Sequence, residues 1–252
     1  MEFAAWEPRY IAATNDLGYS REGDLKAAER LAVLAYTRLG RVADDKDLAP
    51  LLARQPVFVC AAGPTLEEEL GEYQLDGTVV ATDGAVGRLL KRGTIPEIIV
   101  TDLDGDMEAI LSANRKGSIA VVHAHADNQG KLEEFVPRFE GPIVPSVQCS
   151  PPAGTRNFGG LTDGDRAVFL ADHFGASRIA LAGFDFGDEE ANPLPKDRQR
   201  KFIWGALLIA SLDNPAVMFF DEYRASRGAS PPGEGEFGPG PSRERPTPDK
   251  PP

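Results

Sequence analysis

The sequence predicts an α/β protein with a mostly parallel, doubly wound sheet. Six short apolar runs, from "VFVCAA" to "RIALAGFDFG", follow one another between residues 57 and 187. Helical patterns such as "GAVGRLLKRG" and "DGDRAVFLADHFG" separate most of them. Continuous apolar strands that alternate with helices are typical of a parallel sheet covered on both faces.

Two other segments flank this α/β domain, which we place at residues 55–224. Residues 1–54 have a helical pattern, with Asp24 as the expected N-cap of a helix and Gly40 as its stop, and should form a helical cap. The domain should end in the apolar helix "RQRKFIWGALLIASL", which we expect to be buried. Residues 225–252 contain eight Pro and five Gly and predict a disordered tail.

Composition excludes several classes of protein. The net charge of −12 argues against binding to duplex nucleic acid or to an anionic membrane. Neither a signal peptide nor an apolar run of the ~18 residues that a membrane span needs is found in the sequence. The two cysteines form no CxxC motif, so we do not expect a zinc site. We therefore expect a cytoplasmic protein with no nucleic-acid or membrane partner.

Polar residues collect where the predicted strands end. The first four strands run into "AAGPTL", "TDGA", "TDLDGD" and "HAHADN", and "GGLTDGDRA" and "GFDFG" follow later. The carboxyl ends of parallel strands share one edge of the sheet, where ligands bind. So many carboxylates would repel one another, by ~4 kcal/mol for a pair of charges 4 Å apart at the protein surface. Oxygen ligands favour Mg²⁺, which commonly bridges to substrate phosphates.

Each motif also has a structural interpretation. "TDLDGD" is either a cation site or an acidic turn without a ligand, and "GPTL" either presents backbone N–H groups to phosphate or only turns the chain. Thr162 or Asp163 should cap a helix, while Arg166 could meet a phosphate. His123 and His125 alternate on a strand and should share a face, which favours a functional role. The basic segment "KDRQRK" either folds over phosphates or starts a solvated helix.

These strings, in this order, resemble the archaeal-type 6-hydroxymethyl-7,8-dihydropterin pyrophosphokinases over roughly residues 55–215. That family is similar in fold and metal chemistry to the thiamin pyrophosphokinases, so the resemblance implies a catalytic domain like theirs. It also implies a reaction in which ATP gives diphosphate to the pterin alcohol and AMP leaves. Mg²⁺ would be required, and the step would belong to tetrahydromethanopterin or folate-type pterin synthesis.

The resemblance also implies roles for particular residues. The expected metal ligands are Asp102, Asp104 and Asp106. The expected catalytic residues are Asp102, Asp104, Asp127 and His125. Expected contacts to nucleotide or pterin come from Gly63, Pro64, Thr65, Asp83, Gly84, His123, Asn128, Thr162, Asp163 and Arg166.

Three other functions stay open at this point. A thiamin pyrophosphokinase would use the same chemistry but would normally add a separate β-domain. A transferase that uses nucleotide sugars would normally be a longer chain. A module that senses ATP–Mg²⁺ without turnover would need the same acidic edge. The apolar last helix also makes a homodimer an open alternative.

Overall fold

Helices and strands alternate along the chain in the computed structural model, which describes residues 2–37, 39–185 and 196–227. The strands are β1 (Pro56–Cys60), β2 (Thr78–Thr82), β3 (Ile98–Thr101), β4 (Ile119–Ala124), β5 (Ile143–Val147), β6 (Arg178–Ala182) and β7 (Val217–Phe219). The helices are α1 (Phe3–Leu17), α2 (Arg21–Tyr36), α3 (Asp45–Leu52), α4 (Leu66–Leu70), α5 (Asp83–Lys91), α6 (Met107–Arg115), α7 (Gln129–Phe135), α8 (Asp163–His173), α9 (Lys196–Ala210) and α10 (Phe220–Ser226). Short 3₁₀ turns occupy Leu39–Arg41, Ala126–Asn128 and Val136–Arg138.

The strands form one sheet in the order β5-β4-β3-β2-β1-β6-β7, and every pairing is parallel. The predicted α/β fold and its six strands are confirmed. Strand β7 was not predicted because the run "VMF" is too short to give a periodic signal. Helix α10 extends to Ser226, two residues past the expected end of the α/β domain at residue 224, and the domain boundaries stay predictions. The rest of the expected tail, residues 228–252, lies outside the described chain.

Both faces of the sheet are covered, as its apolar strands require. Alternate residues of β1 serve different cores: Phe58 and Cys60 pack with helices α1, α2, α5 and α6 on one face. Val57 and Val59 pack with α3 and α8 on the other face. The whole sheet is therefore buried between two layers, and polar ligands can reach it only at its edges.

The strand order reverses at β1. The chain passes outward from β1 to β5 and then returns to β6 on the other side of β1. At this switch point the loops after β1 and β6 touch through their backbones, since Gly63 N donates to Gly183 O at 2.8 Å. A Cβ on Gly63 would lie 2.2 Å from that oxygen, so only glycine fits. Ligands of open α/β sheets bind in the crevice that such a reversal creates.

The N-terminal helices pack on the sheet as expected, but two details of the prediction are wrong. Ser20, not Asp24, caps α2, because its side chain accepts a hydrogen bond from Gly23 N. Asp24 is instead buried within the helix at 1% exposure. Helix α2 ends at Tyr36, so Gly40 does not stop it and lies in the 3₁₀ turn that follows.

Helix α9 was predicted to be buried, but it is buried only in part. Ala206 and Leu208 are inside, whereas Ile203 keeps 42% of its surface exposed. None of the helices in the described ranges is long and apolar enough to cross a membrane.

Substituting Gly63 should destabilise the fold because the loops after β1 and β6 would have to separate. We expect Gly63→Ala to lower the free energy of unfolding by about 1–3 kcal/mol. Gly130→Ala is the matched control, since Gly130 lies in α7 with nothing within 4 Å of an added Cβ. Alanine there should be neutral or stabilise by up to about 1 kcal/mol. Urea unfolding of both variants measures the difference, and equal stabilities would contradict the close contact at the switch point.

Candidate active site

A cavity of about 940 Å³ lies at the carboxyl edge of the sheet. The loops after β1, β2, β3, β4 and β6 form its floor. The α1–α2 loop, the start of α8 and one side of α9 form its walls. The edge predicted from the sequence to collect polar residues is therefore a single pocket, and the N-terminal helices contribute to it.

Three carboxylates meet at the centre of this cavity. Asp83 is the first residue of α5, Asp102 follows β3, and Asp163 is the first residue of α8. One oxygen from each lies within 4.8 Å of the others. We call Asp83, Asp102 and Asp163 the carboxylate group. Two of its members stand at helix N-termini, where the helix dipole favours negative charge.

The turn after β3 wraps around Asp83. Leu103 is buried and adopts a positive φ of 69°, which is uncommon for a residue with a side chain. Its N–H donates to Thr101 Oγ1, and the next two amides, of Asp104 and Gly105, donate to Asp83 Oδ2 at 3.1 and 3.2 Å. A Cβ on Gly105 would lie 2.7 Å from Asp83 Cβ. This turn therefore holds Asp83 against the β3 loop.

The shared environment shifts the pKa of each carboxyl. Burial, together with the charges of Asp102 and Asp104, raises the pKa of Asp83 to about 8. Burial and the charges of Asp83 and Asp102 raise the pKa of Asp163 well above its ordinary value. Burial also acts on Asp102, but the hydrogen bond and charge of His125 outweigh it and lower the pKa of Asp102 to about 2. Only part of the group is therefore ionised at neutral pH when no cation is bound.

The carboxylate group fits a small divalent cation. Asp83 Oδ1 and Asp102 Oδ1 are buried and have no hydrogen-bond partner within the part of the chain that the structure describes. Mg²⁺ prefers oxygen ligands at about 2.1 Å, so oxygens on opposite sides of one ion lie about 4.2 Å apart. The observed spread of up to 4.8 Å is close to that span. The donors and their spacing therefore suit Mg²⁺.

Two histidines extend the site along β4. His125 Nε2 lies 3.3 Å from Asp102 Oδ2, and its ring stacks on that of His123 with centroids 6.2 Å apart. The two rings share a face, as predicted. Asn128 is buried beneath them and donates from Nδ2 to the carbonyls of Asp102 and His123. Asn128 therefore fixes the β3 and β4 loops relative to each other.

Several residues that were predicted to contact ligand line the cavity. Gly63, Pro64, Gly84, Thr162 and Asp127 are all part of its surface. Asp104 lines it too and is exposed at the rim next to the carboxylate group. Their contacts with ligand stay predictions.

Three predicted site residues lie outside the cavity surface. Asp106 is exposed and caps α6, accepting a hydrogen bond from Ala109 N at 3.1 Å, so it does not join the carboxylate group. Thr65 donates to Glu69 at 2.6 Å within α4, and Asn128 is occupied by backbone carbonyls. Each of the three uses polar atoms to hold a loop or a helix terminus, and their contacts with metal or ligand stay predictions.

Arg166 is buried beneath the cavity, although a phosphate contact was predicted for it. Its guanidinium donates to the carbonyls of Gly160 and Leu161 at 3.1 and 3.0 Å. Its positive charge counters Asp163, Asp165 and Asp102. A direct contact with phosphate stays a prediction, while its role as a countercharge to the acids follows from its position.

The structure adds cavity residues that the sequence did not single out. Asp24 and Gln148 form a buried wall, and Lys201 of α9 also lines the cavity. Asp24 was interpreted as a helix cap, because nothing in the sequence distinguishes a buried cavity residue from an ordinary acid in the first turn of a helix. Gln148 follows an ordinary buried strand and carries no motif. Lys201 belongs to the basic segment "KDRQRK", for which contact with phosphates was left open, and it lines the cavity whereas its neighbour Arg200 does not.

Replacing Asp83 by asparagine should change how stability depends on pH. The pKa of Asp83 is about 8 in the folded chain and about 4 in an unfolded one. The folded state therefore holds an extra proton between these values. The extra proton on Asp83 stabilises the folded state. This contribution to the free energy of unfolding is fully present below about pH 4, falls by up to about 1.4 kcal/mol per pH unit, and is lost once the pH has risen through 8. Asparagine keeps an acceptor for the two amides but does not titrate.

Urea unfolding in EDTA, between about pH 6 and pH 9, measures this effect. The stability of Asp83→Asn relative to the wild type should rise with pH over the lower part of this range and level off above pH 8. Parallel profiles for the two proteins would contradict a raised pKa at Asp83.

Comparison with known proteins identifies the family. The family model described as 6-hydroxymethylpterin diphosphokinase MptE-like matches residues 36–191, starting before the expected α/β domain and ending before α9. A protein of Pyrococcus furiosus is 43% identical over 189 residues, which cover 74% of this chain and 79% of the relative. One of Methanothermobacter thermautotrophicus is 41% identical over 191 residues, 75% of this chain and 80% of the relative.

A third relative, from Methanocaldococcus jannaschii, is 37% identical over 197 residues, covering 74% of this chain and 81% of its own. All three relatives are named 6-hydroxymethyl-7,8-dihydropterin pyrophosphokinase. The range matched by the family model includes all three members of the carboxylate group. The chain therefore belongs to the MptE-like 6-hydroxymethylpterin diphosphokinase family.

Proposed function

We propose that this protein transfers diphosphate from ATP to 6-hydroxymethyl-7,8-dihydropterin, in tetrahydromethanopterin or folate-type pterin synthesis. The carboxylate group at the centre of the cavity is the observation that supports this proposal best. It could hold a cation beside which ATP and an alcohol would meet, in a chain whose relatives carry this enzyme's name. The cavity, at about 940 Å³, is large enough to hold both substrates.

The reaction is a displacement at the β-phosphorus of ATP. The pterin hydroxyl oxygen forms a bond to this phosphorus, and the bond from the phosphorus to the oxygen bridging the α- and β-phosphates breaks. AMP leaves with that oxygen, and the hydroxyl proton is released. Catalysis of such transfers consists mainly of positioning and of neutralising charge, so the protein needs no covalent intermediate.

The site residues divide this work. Asp83, Asp102 and Asp163 would hold Mg²⁺, which neutralises charge on the phosphate oxygens when bound. His125, at 3.3 Å from Asp102, is placed to accept the hydroxyl proton or to hydrogen-bond a phosphate oxygen. Asp104 and Asp127, both exposed at the rim, would orient the attacking hydroxyl by accepting its hydrogen bond.

Lys201 of α9 supplies a positive charge to the cavity. Its Nζ lies over the Tyr19 ring at 5.3 Å from the centroid, which directs the side chain into the cavity. Burial lowers the pKa of Lys201, but its contact with Tyr19 and the charges of Asp102 and Asp127 raise it above its ordinary value. The ammonium is therefore charged at neutral pH and can pair with a phosphate of ATP.

The reaction is tested by mixing protein, ATP, Mg²⁺ and 6-hydroxymethyl-7,8-dihydropterin and measuring AMP. We expect AMP with the pterin and none when thiamin replaces it. Asp102→Asn should lower kcat at least about 100-fold, because it weakens both the cation site and the bond to His125. AMP formed from thiamin would instead favour a thiamin pyrophosphokinase, and ATP binding without AMP from either alcohol would favour a sensing module or a sugar transferase.

Replacing Lys201 should affect ATP more than the pterin. We expect Lys201→Ala to raise the KM for ATP about tenfold, because one charged hydrogen bond is lost, and to leave the KM for the pterin within about twofold. Arg200→Ala is the matched control, since the adjacent Arg200 pairs with Asp16 on α1 and does not line the cavity. Equal effects of the two substitutions on the KM for ATP would contradict a specific role for Lys201.

A further inference from the structure

A second set of polar side chains lines the cavity beside the carboxylate group. Asp24 comes from α2, His123 from β4, and Gln148 follows β5. Each is at most 3% exposed. We call Asp24, His123 and Gln148 the inner polar group. Buried polar side chains at the wall of a cavity are costly to fold unless they pair with something, so their presence needs an explanation.

Neighbouring residues hold this group rigidly. Asp24 Oδ1 accepts from Ala126 N at 2.9 Å, while Oδ2 accepts from Tyr10 Oη at 2.7 Å and from Gln148 Nε2 at 2.8 Å. Trp6 Nε1 donates to the backbone carbonyl of Gln148 at 2.8 Å. The α1–α2 helices are therefore tied to the ends of β4 and β5 through Asp24. A preorganised wall of this kind suits the recognition of a rigid ligand.

The group retains unused hydrogen-bonding capacity. His123 Nδ1 lies 3.3 Å from Ser146 Oγ, but its Nε2 is buried and has no partner among the described residues. Arg166 lines the same cavity, and its Nε is also buried without a hydrogen-bond partner among the described residues. Asp24 accepts three hydrogen bonds, whereas a carboxylate has about four acceptor positions. A ligand that donates and accepts in one plane would satisfy these atoms.

We propose that the inner polar group is the subsite for the pterin ring. A pterin is flat and uncharged, and its amino-pyrimidinone edge carries N–H donors next to a carbonyl acceptor. Asp24 matches the donors, and the His123 imidazole and Arg166 match the acceptors. The triphosphate of ATP fits this wall poorly, because Asp24 would repel it.

The position of the group agrees with this assignment. The rings of His123 and His125 stack, and His125 reaches Asp102 of the carboxylate group. A pterin held against His123 would therefore lie next to the carboxylate group, where the phosphates are expected. Burial and the charge of Arg166 lower the pKa of His123 well below its ordinary value, so its ring is neutral and can either donate or accept. This inference rests on the proposed function, which supplies the pterin.

His123→Leu tests the subsite in the full-length protein. Leucine removes the unpartnered Nε2 but keeps an apolar side chain of similar size, so the variant should stay folded. We expect the Kd for 6-hydroxymethylpterin, measured by its fluorescence, to rise at least tenfold. The Kd for a non-hydrolysable ATP analogue with Mg²⁺, measured by calorimetry, should change by less than about twofold. Asp24→Asn is the second variant, and thermal unfolding checks that both remain folded.

Two controls separate the subsite from the reaction. Lys26→Ala alters an exposed position of α2, two residues from Asp24, and should leave both affinities unchanged. Asp104→Asn should lose AMP formation while keeping pterin affinity. Unchanged pterin affinity in folded His123→Leu and Asp24→Asn, or a loss of ATP affinity instead, would overturn the subsite. If the wild type binds the pterin but forms no AMP, the proposed reaction is overturned. In that case, loss of pterin binding in His123→Leu would still support the subsite.

Discussion

Repulsion among carboxylates at one edge of the sheet is the constraint on which the rest of the site depends. Asp83, Asp102 and Asp163 come from three different loops and have oxygens within 4.8 Å of one another. Protonation of Asp83, hydrogen bonds from the β3 turn and the contact of His125 with Asp102 each relieve part of this repulsion. We propose that a metal–phosphate substrate relieves the remainder, so that its binding would offset the cost of assembling the group in the free protein.

The fold could be predicted from the sequence because its local signals agree. Each of the six predicted strands is a continuous apolar run that ends in a turn, and helices with their own stops separate most of them. Strand β7 was not predicted, because its three residues are too few to show a hydrophobic periodicity. The cap of α2 was assigned to Asp24 because first-turn acids and N-caps look alike in sequence, and only burial distinguishes them. The strand order, with its reversal at β1, cannot be derived from local patterns.

The site was predictable as a region but not as a set of contacts. All of the polar loops named from the sequence reach the same edge, and Asp102 and Asp104 lie where expected. Three acids at alternate positions suggested three ligands, yet Leu103 with its positive φ turns the chain so that Asp106 caps α6 instead. Asp163 replaces it in space although it lies 57 residues further along the chain. Such partners depend on strand order, which the motif does not encode.

Binding of Mn²⁺, used in place of Mg²⁺, tests the central claim most directly. The electron paramagnetic resonance signal of the free ion would be followed while full-length protein is titrated with a non-hydrolysable ATP analogue present. We expect a cation site in the wild type that is weakened at least about tenfold in Asp163→Asn and unchanged in Asp106→Asn. Loss of the site in Asp106→Asn with retention in Asp163→Asn would contradict the carboxylate group and would restore the consecutive acids of "TDLDGD" as the ligands.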